Sequence, residues 1–251
     1  MDPRTELVIG DGRNHLRHSR RTYDVIISEP SNPWMAGMSS LFTREFFNEA
    51  RSHLSSNGTF CQWLHSYNMS TEDLRTIIGT FRTAFPHAML WTLNENDFLL
   101  LGSPASLTLD ESLIQRNFER VAADLREVQV HDVYSIVSLL LLRDEELDRF
   151  AAGAKLNTDD LPILEFRAPR FIHANTASQN FAVLSGLSHS PEYGGNAENH
   201  RHKAEMYLSA EAFREARQEF QGALRENPLD PRTRKELVET AHSGFDRPQL
   251  R

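Results

Sequence analysis

Residues 23–34 read YDVIISEPSNPW, and they decide the fold. Tyr23 to Ile27 is an unbroken run rich in β-branched side chains, the pattern of a strand buried on both faces. At its carboxyl end the chain enters a loop, Ser28 to Ser40, that holds two prolines and Trp34. Open α/β sheets gather ligands at the carboxyl ends of their strands. A carboxylate at that position, Glu29, stiffened by Pro30 and Pro33 and walled by Trp34, reads as a candidate base or cation anchor. The alternative is a proline-rich turn with a purely structural role.

Working upstream, Leu7 to Ile9 reads as a short strand ending in Gly10-Asp11-Gly12, followed by a helix over Asn14 to Arg20. The string GDGRNH nearly matches the dinucleotide fingerprint G-x-G-x-x-G. His15 occupies the place of the third glycine, and Asp24 begins its strand where the fingerprint wants an acid ending one. The better reading is an Asp-Gly turn at a strand end. Downstream, the pattern predicts an amphipathic helix over Leu41 to Leu54 and a strand over Thr59 to Leu64. A helix over Thr71 to Phe85 follows, started by Ser70 or Thr71 and stopped by Pro86. Strands are expected over Ala88 to Leu93 and Asp97 to Leu101. This alternation predicts an α/β layer structure.

After Pro104 the periodicity becomes helical. Ile114, Phe118, Val121 and Leu125 mark one face of a helix over Glu111 to Val128, and Val133 to Leu142 and Glu145 to Ala152 continue as helices. Leu156 to Arg170 reads as irregular and Ser185 to Asn199 as a linker. In the tail, Ala204, Tyr207, Ala216, Phe220, Ala223 and Pro228 follow tetratricopeptide spacing, with small residues where paired helices approach and aromatics between them. A single such repeat cannot bury its own apolar face, so it calls for a partner surface.

Composition narrows the function classes. The chain has 251 residues, 39% hydrophobic and 25% charged, which suits one to two globular domains at roughly 150 residues each. No stretch reaches the ~18 apolar residues of a membrane span. The start MDPRTELVIG lacks a signal-peptide pattern, so a cytoplasmic location is expected. A formal net charge of −8 argues against a nucleic-acid surface. Cys61 is the sole cysteine, which excludes disulfides and multi-cysteine zinc sites. As a strand residue it reads as a core thiol. His15 with His18, and His200 with His202, lack a third ligand at a metal-site spacing, and no metal is expected.

GDGRNHL, TYDVIISEPSNPWMAGMSSLFTREFF and GTFCQWLH, in that order, resemble the spermidine synthase-like family of polyamine aminopropyltransferases. NTDDLPILEFRAPR is similar to a C-terminal signature of its larger, often membrane-fused bacterial branch. The resemblance spans about residues 2 to 170. It implies a class I methyltransferase-like, Rossmann-like sheet that binds decarboxylated S-adenosylmethionine, and an amine acceptor whose nitrogen attacks the carbon beside the sulfonium. By resemblance Asp11 and Gly12 meet the adenine, Glu29 takes the base position, and Asn32 takes the position of a second acid, with Trp34 beside the amine. Glu29 is one methylene longer than the family's aspartate, and Asn32 carries no charge. The family's glycine-rich first turn and ribose-holding acid would precede Met1, so the resemblance implies a sheet without its first half.

The expected architecture is therefore a partial Rossmann-like α/β sheet over 1–104, a helical extension over 105–190, and a linker with one tetratricopeptide-like hairpin over 191–251. The leading function is aminopropyl transfer to a polyamine, without metal or nucleic acid, in a chain that the missing half would leave incomplete. The tail points to a protein partner, and exposed sheet edges to a homodimer. A non-catalytic scaffold and an S-adenosylmethionine-dependent methyltransferase-like enzyme are the alternatives.

Overall fold

A computed structural model describes residues 3–188 and 196–243. The chain divides into two compact units, Met1–Leu107 with Leu141–His189 and Thr108–Leu140 with Ser190–Arg251. The expected extension over 105–190 is thus shared between them.

The first unit is mixed α/β. Its strands are β1 (Tyr23–Ser28), β2 (Leu54–His65), β3 (His87–Thr92), β4 (Asp97–Ser103) and β5 (Leu140–Arg143), in the sheet order β1-β2-β4-β3-β5. β1 and β2 are parallel, with Val25 opposite Thr59 and Ile27 opposite Cys61. β4 runs antiparallel to both β2 and β3. The helices of this unit are α1 (Gly12–His18), α2 (Arg44–Ser52), α3 (Thr71–Ala84), α6 (Asp144–Ala151), α7 (Ile163–Arg167) and α8 (Ala177–Ser185).

Local chemistry sets the helix starts. Thr43 accepts from the Phe46 amide at 3.3 Å and starts α2. Ser70 and Asp73 form a reciprocal capping box that starts α3, with Ser70 Oγ accepting from the Asp73 amide at 3.1 Å. The core is aromatic: Phe42, Phe47, Phe60, Phe81 and Phe85 are fully buried, and the rings of Phe60 and Phe85 stack at 5.3 Å. Gly102 on β4 makes this packing feasible, since a Cβ there would lie 2.5 Å from the Phe85 ring and 2.6 Å from Phe81.

Several expectations change. Leu7 to Ile9 forms no strand. Among the described residues nothing pairs with it, and its side chains stand exposed, Ile9 at 92%. β1 is an edge strand, not one covered on both faces: Val25 is 58% and Ile27 70% exposed. The predicted helix over Val133 to Leu142 is a single turn, α5 (Tyr134–Val137), and then strand β5. The apolar run Leu139 to Leu142 is too short for periodicity to separate strand from helix, and Leu141 and Leu142 join the aromatic core. The helix predicted over Leu41 to Leu54 is shortened by a 3-10 turn at Met38–Phe42 and by β2, which begins at Leu54. Leu156 to Arg170 is irregular only in part, because it contains α7 and a 3-10 turn, Ala168–Phe171.

The second unit holds α4 (Glu111–Glu127), α5, α9 (Ala197–Ser209), α10 (Phe213–Glu226) and α11 (Pro231–Ser243). Phe118, Ala122 and Val130 form a small core with Met206 and Leu125 against it, while Val121 is 46% exposed, off the face predicted for it. α9 and α10 pack as a hairpin that buries Ala204, Tyr207, Ala216, Phe220 and Ala223. Pro228 lies exposed after α10. At the centre of the unit Lys203 Nζ meets Glu219 at 2.9 Å, and the Glu219 carboxylate also holds His200 Nδ1 at 2.7 Å. The expected linker lies partly outside the described residues. Among the described residues no helix is long and apolar enough to cross a membrane.

Candidate functional site

The site runs along β1, from Tyr23 to the loop that leaves its carboxyl end. A cavity of about 770 Å³ opens there, lined by Asp11, Gly12, Ser28, Glu29 and Pro30, together with Met38 and Ser40 from the following loop. Asp11 caps α1, its Oδ1 accepting from the Asn14 amide at 2.7 Å. A Cβ at Gly12 would meet nothing within 4 Å, so the fold does not demand glycine there, and its small size leaves room in the cavity. Glu29 is exposed to the cavity. Its charge is felt one strand away at Cys61, whose thiol is pushed up by burial first and then by Glu29. Cys61 therefore stays a thiol, and it is half-buried where a buried core thiol was expected.

The structure brings Asp11, Gly12 and Glu29 to one cavity but places Asn32 and Trp34 off its lining. The Asn32 carbonyl accepts from the Met35 amide at 2.9 Å and turns the loop. Trp34 packs edge-on against His65 at 5.1 Å and Tyr67 at 5.8 Å. It acts as an anchor for the loop that carries Glu29.

His65 is 1% exposed, its ring stacked on Tyr67 at 4.9 Å and crossed by Trp63 at 5.1 Å. Neither ring nitrogen has a hydrogen-bond partner. Burial therefore drives the imidazole down from its ordinary 6.5 to about 4. Gln62, opposite Ser28 in the parallel register, is also fully buried. Its Nε2 donates to the Trp63 carbonyl at 3.0 Å, while its Oε1 has no partner. A buried acceptor without a donor costs free energy, and Gln62 does not itself line the cavity. Nothing in the sequence reading singled out Gln62; its signal was its place at the carboxyl end of β2.

The rim is held from a distance. Glu165 on α7 accepts from the Gly37 amide at 3.0 Å and from Ser39 Oγ at 2.7 Å. Gly37 sits at φ +82, where glycine is needed. Asn157, fully buried, donates to the carbonyls of Ser39 at 3.2 Å and Phe42 at 3.1 Å, and its Oδ1 accepts from the Leu164 amide at 3.2 Å. Arg13 donates to the Ser40 carbonyl at 3.0 Å and to Asp159 at 2.7 Å. Burial pushes the Asp159 carboxyl up, but the hydrogen bond and charge of Arg13 outweigh it and hold it below its ordinary value. The stretch read as irregular thus clamps the loop after β1. Among the described residues no group of three or more His, Cys, Asp or Glu is placed to hold a metal ion.

Comparison with known proteins bears on this same region. Residues 1–95 match the spermine/spermidine synthase domain. The polyamine aminopropyltransferase of Thermotoga petrophila is 34% identical over 84 residues, 34% of this chain and 26% of that protein. That of Synechococcus sp. is 35% identical over 97 residues, 35% of this chain and 30% of that protein. That of Saccharolobus islandicus is 28% identical over 174 residues, 64% of this chain and 55% of that protein. The matched stretch thus spans between about a quarter and just over half of these relatives' lengths. A probable spermidine synthase from Corynebacterium glutamicum superimposes with a TM-score of 0.45 at 17% identity, covering 63% of this chain and 56% of that one.

Proposed function

We propose that the chain is a spermidine synthase-like protein of the polyamine aminopropyltransferase family, and that its cavity takes decarboxylated S-adenosylmethionine and a polyamine. The observation that carries this reading is the convergence of Asp11, Gly12 and Glu29 on one cavity, within the segment that matches the family domain. The cavity's volume of about 770 Å³ suits a small molecule.

The bound sulfonium supplies an electrophilic carbon and a neutral thioether leaving group. The residues of this chain then have two tasks. An amine must be held in line, which is worth several kcal/mol when reactants are pre-oriented. It must also lose a proton, since a free alkylamine titrates near lysine, ~10.4. Glu29 takes that proton as the nitrogen forms its bond to carbon, and the carbon–sulfur bond electrons leave with the thioether. Asn32 lies off the cavity lining, so Glu29 carries the cation recognition. Asp11 and Gly12 border the adenine.

Calorimetry with decarboxylated S-adenosylmethionine tests the reading directly, and an absence of binding heat at millimolar ligand overturns it. Where turnover is found, Glu29→Gln should lower kcat far more than it raises KM; an unchanged kcat removes Glu29 from the base role.

A second reading, a non-catalytic binding module, is favoured by the second unit, whose α9–α10 hairpin buries five of the six residues that follow tetratricopeptide spacing. There the hairpin serves as a docking element for a protein partner. A methyltransferase-like enzyme is separated from both by offering S-adenosylmethionine itself to the protein.

A further inference from the structure

The loop after β1 ends in a wall with two sides. Gly37, Met38, Ser40 and Leu41 line the candidate site, whereas Ser39 and Phe42 of the same turn are buried and off its lining. Local sequence holds this wall only in part. Ser40 donates to the Gly37 carbonyl through its amide at 3.3 Å and through its hydroxyl at 2.6 Å. Gly37, which precedes the 3-10 turn, has no side chain with which to cap it, and the amides at a helix start need acceptors from elsewhere.

Glu165 supplies that acceptor from far along the chain. Its carboxylate takes the Gly37 amide and the Ser39 hydroxyl together, so one side chain caps the turn and pins its buried side. Hydrogen bonds to an ionised acceptor are stronger than neutral ones. Glu165 itself does not line the cavity, and it stands outside residues 1–95, which match the synthase domain. The nearer part of the loop, which carries Glu29, has its own anchor in Trp34 on His65 and Tyr67. Asn157 and Arg13 hold the carbonyls of Ser39 and Ser40, so a wall without Glu165 keeps its course but gains play.

We infer, on the reading of this cavity as an amine site, that Glu165 is a positioning residue for the acceptor. It touches no ligand, yet through Gly37 and Ser39 it sets the wall against which an amine is held near Glu29. A released wall holds the amine less well, while a bound amine still meets Glu29. The loss therefore falls on binding more than on the chemical step, the mark of an interaction made equally before and during reaction.

The test uses the full chain with decarboxylated S-adenosylmethionine and either putrescine or spermidine as the acceptor probe. Glu165→Ala should raise the acceptor KM at least about 10-fold, inside the ~100-fold that a misplacement of about 1 Å can cost, with kcat nearly unchanged. Glu165→Gln, whose amide can accept from Gly37 and donate to Ser39 Oγ, should restore most of the wild-type KM. Ser39→Ala removes one of the bonds from the loop side and keeps the inference testable should Glu165→Ala misfold. It should give a smaller rise, and the double variant should be no worse than Glu165→Ala, because the two side chains act as one unit. Hydrogen exchange at the Gly37, Met38 and Ser40 amides should quicken in Glu165→Ala and not in Glu165→Gln. An unchanged KM with unchanged exchange overturns the inference. So does a loss in Glu165→Ala that falls on kcat alone, or one that Glu165→Gln does not recover. A wild-type chain that turns over neither acceptor overturns the proposed function instead, and the exchange comparison, which needs no ligand, then decides by itself whether Glu165 positions the wall.

Discussion

Lowering the pH should destabilise the first unit through His65, and the size of the effect follows from its surroundings. The ring is buried among Trp34, Trp63 and Tyr67 with no acceptor for a second proton. Its folded value of about 4 lies below the ordinary 6.5. The unfolded chain therefore binds the extra proton between these values. His65 contributes its full stability above pH 6.5 and loses it as pH falls through 4. At about 1.4 kcal/mol per pH unit the whole window is worth about 3 kcal/mol. Between about pH 7.5 and 5.0 the loss is about 2 kcal/mol. Denaturant unfolding followed by tryptophan fluorescence reads it well, since Trp34, Trp63 and Trp91, the chain's three tryptophans, all lie in this unit. His65→Phe keeps an aromatic ring in the same packing but cannot titrate. The wild type should lose about 2 kcal/mol more than the variant over that pH interval. Equal losses in both proteins would refute the assignment of a neutral, unpartnered imidazole.

Other perturbations read other parts of the structure. Gly102→Ala forces a methyl into the rings of Phe81 and Phe85 and should cost about 1–3 kcal/mol in denaturant unfolding; an unchanged midpoint contradicts the packing. Asn157→Ala strands the carbonyls of Ser39 and Phe42 and the Leu164 amide. It should cost about 1–3 kcal/mol for each buried group left unsatisfied and speed hydrogen exchange at Gly37. In the second unit, Lys203→Met alone leaves the Glu219 carboxylate without its ammonium and should cost about 3 kcal/mol. Pairing it with Glu219→Leu should recover much of that in thermal melts, and a double variant no better than the single one argues against the pair.

Much of the frame was legible because local chemistry and tertiary packing agree there. Ser70 and Pro86 bracket α3 as their types dictate. Five of the six residues at tetratricopeptide spacing are buried in the α9–α10 hairpin, and Pro228 is exposed. What escaped reading depends on distant chain. Whether Leu7 to Ile9 pairs is decided by a neighbour, not by its own composition. Leu139 to Leu142 is apolar in either helix or strand, and only its place beside β3 makes it β5. Within the site, Asp11, Gly12 and Glu29 announced themselves through turn chemistry and strand ends. Glu165, Asn157 and Arg13 did not, because the hydrogen bonds by which they hold the loop span 27 to 128 residues of sequence.

That span has a kinetic consequence. The loop after β1 is fastened by residues 157–165, while β4 and β5 of the same unit are separated by the helical stretch Thr108–Leu140 of the other. Closing so long a loop costs entropy before any contact returns it, and non-local contacts of this kind slow folding. During synthesis the amino-terminal α/β segment therefore leaves the ribosome with the loop after β1 unfastened. The candidate site reaches its final shape only after a whole foreign helical segment has been made and the chain has come back.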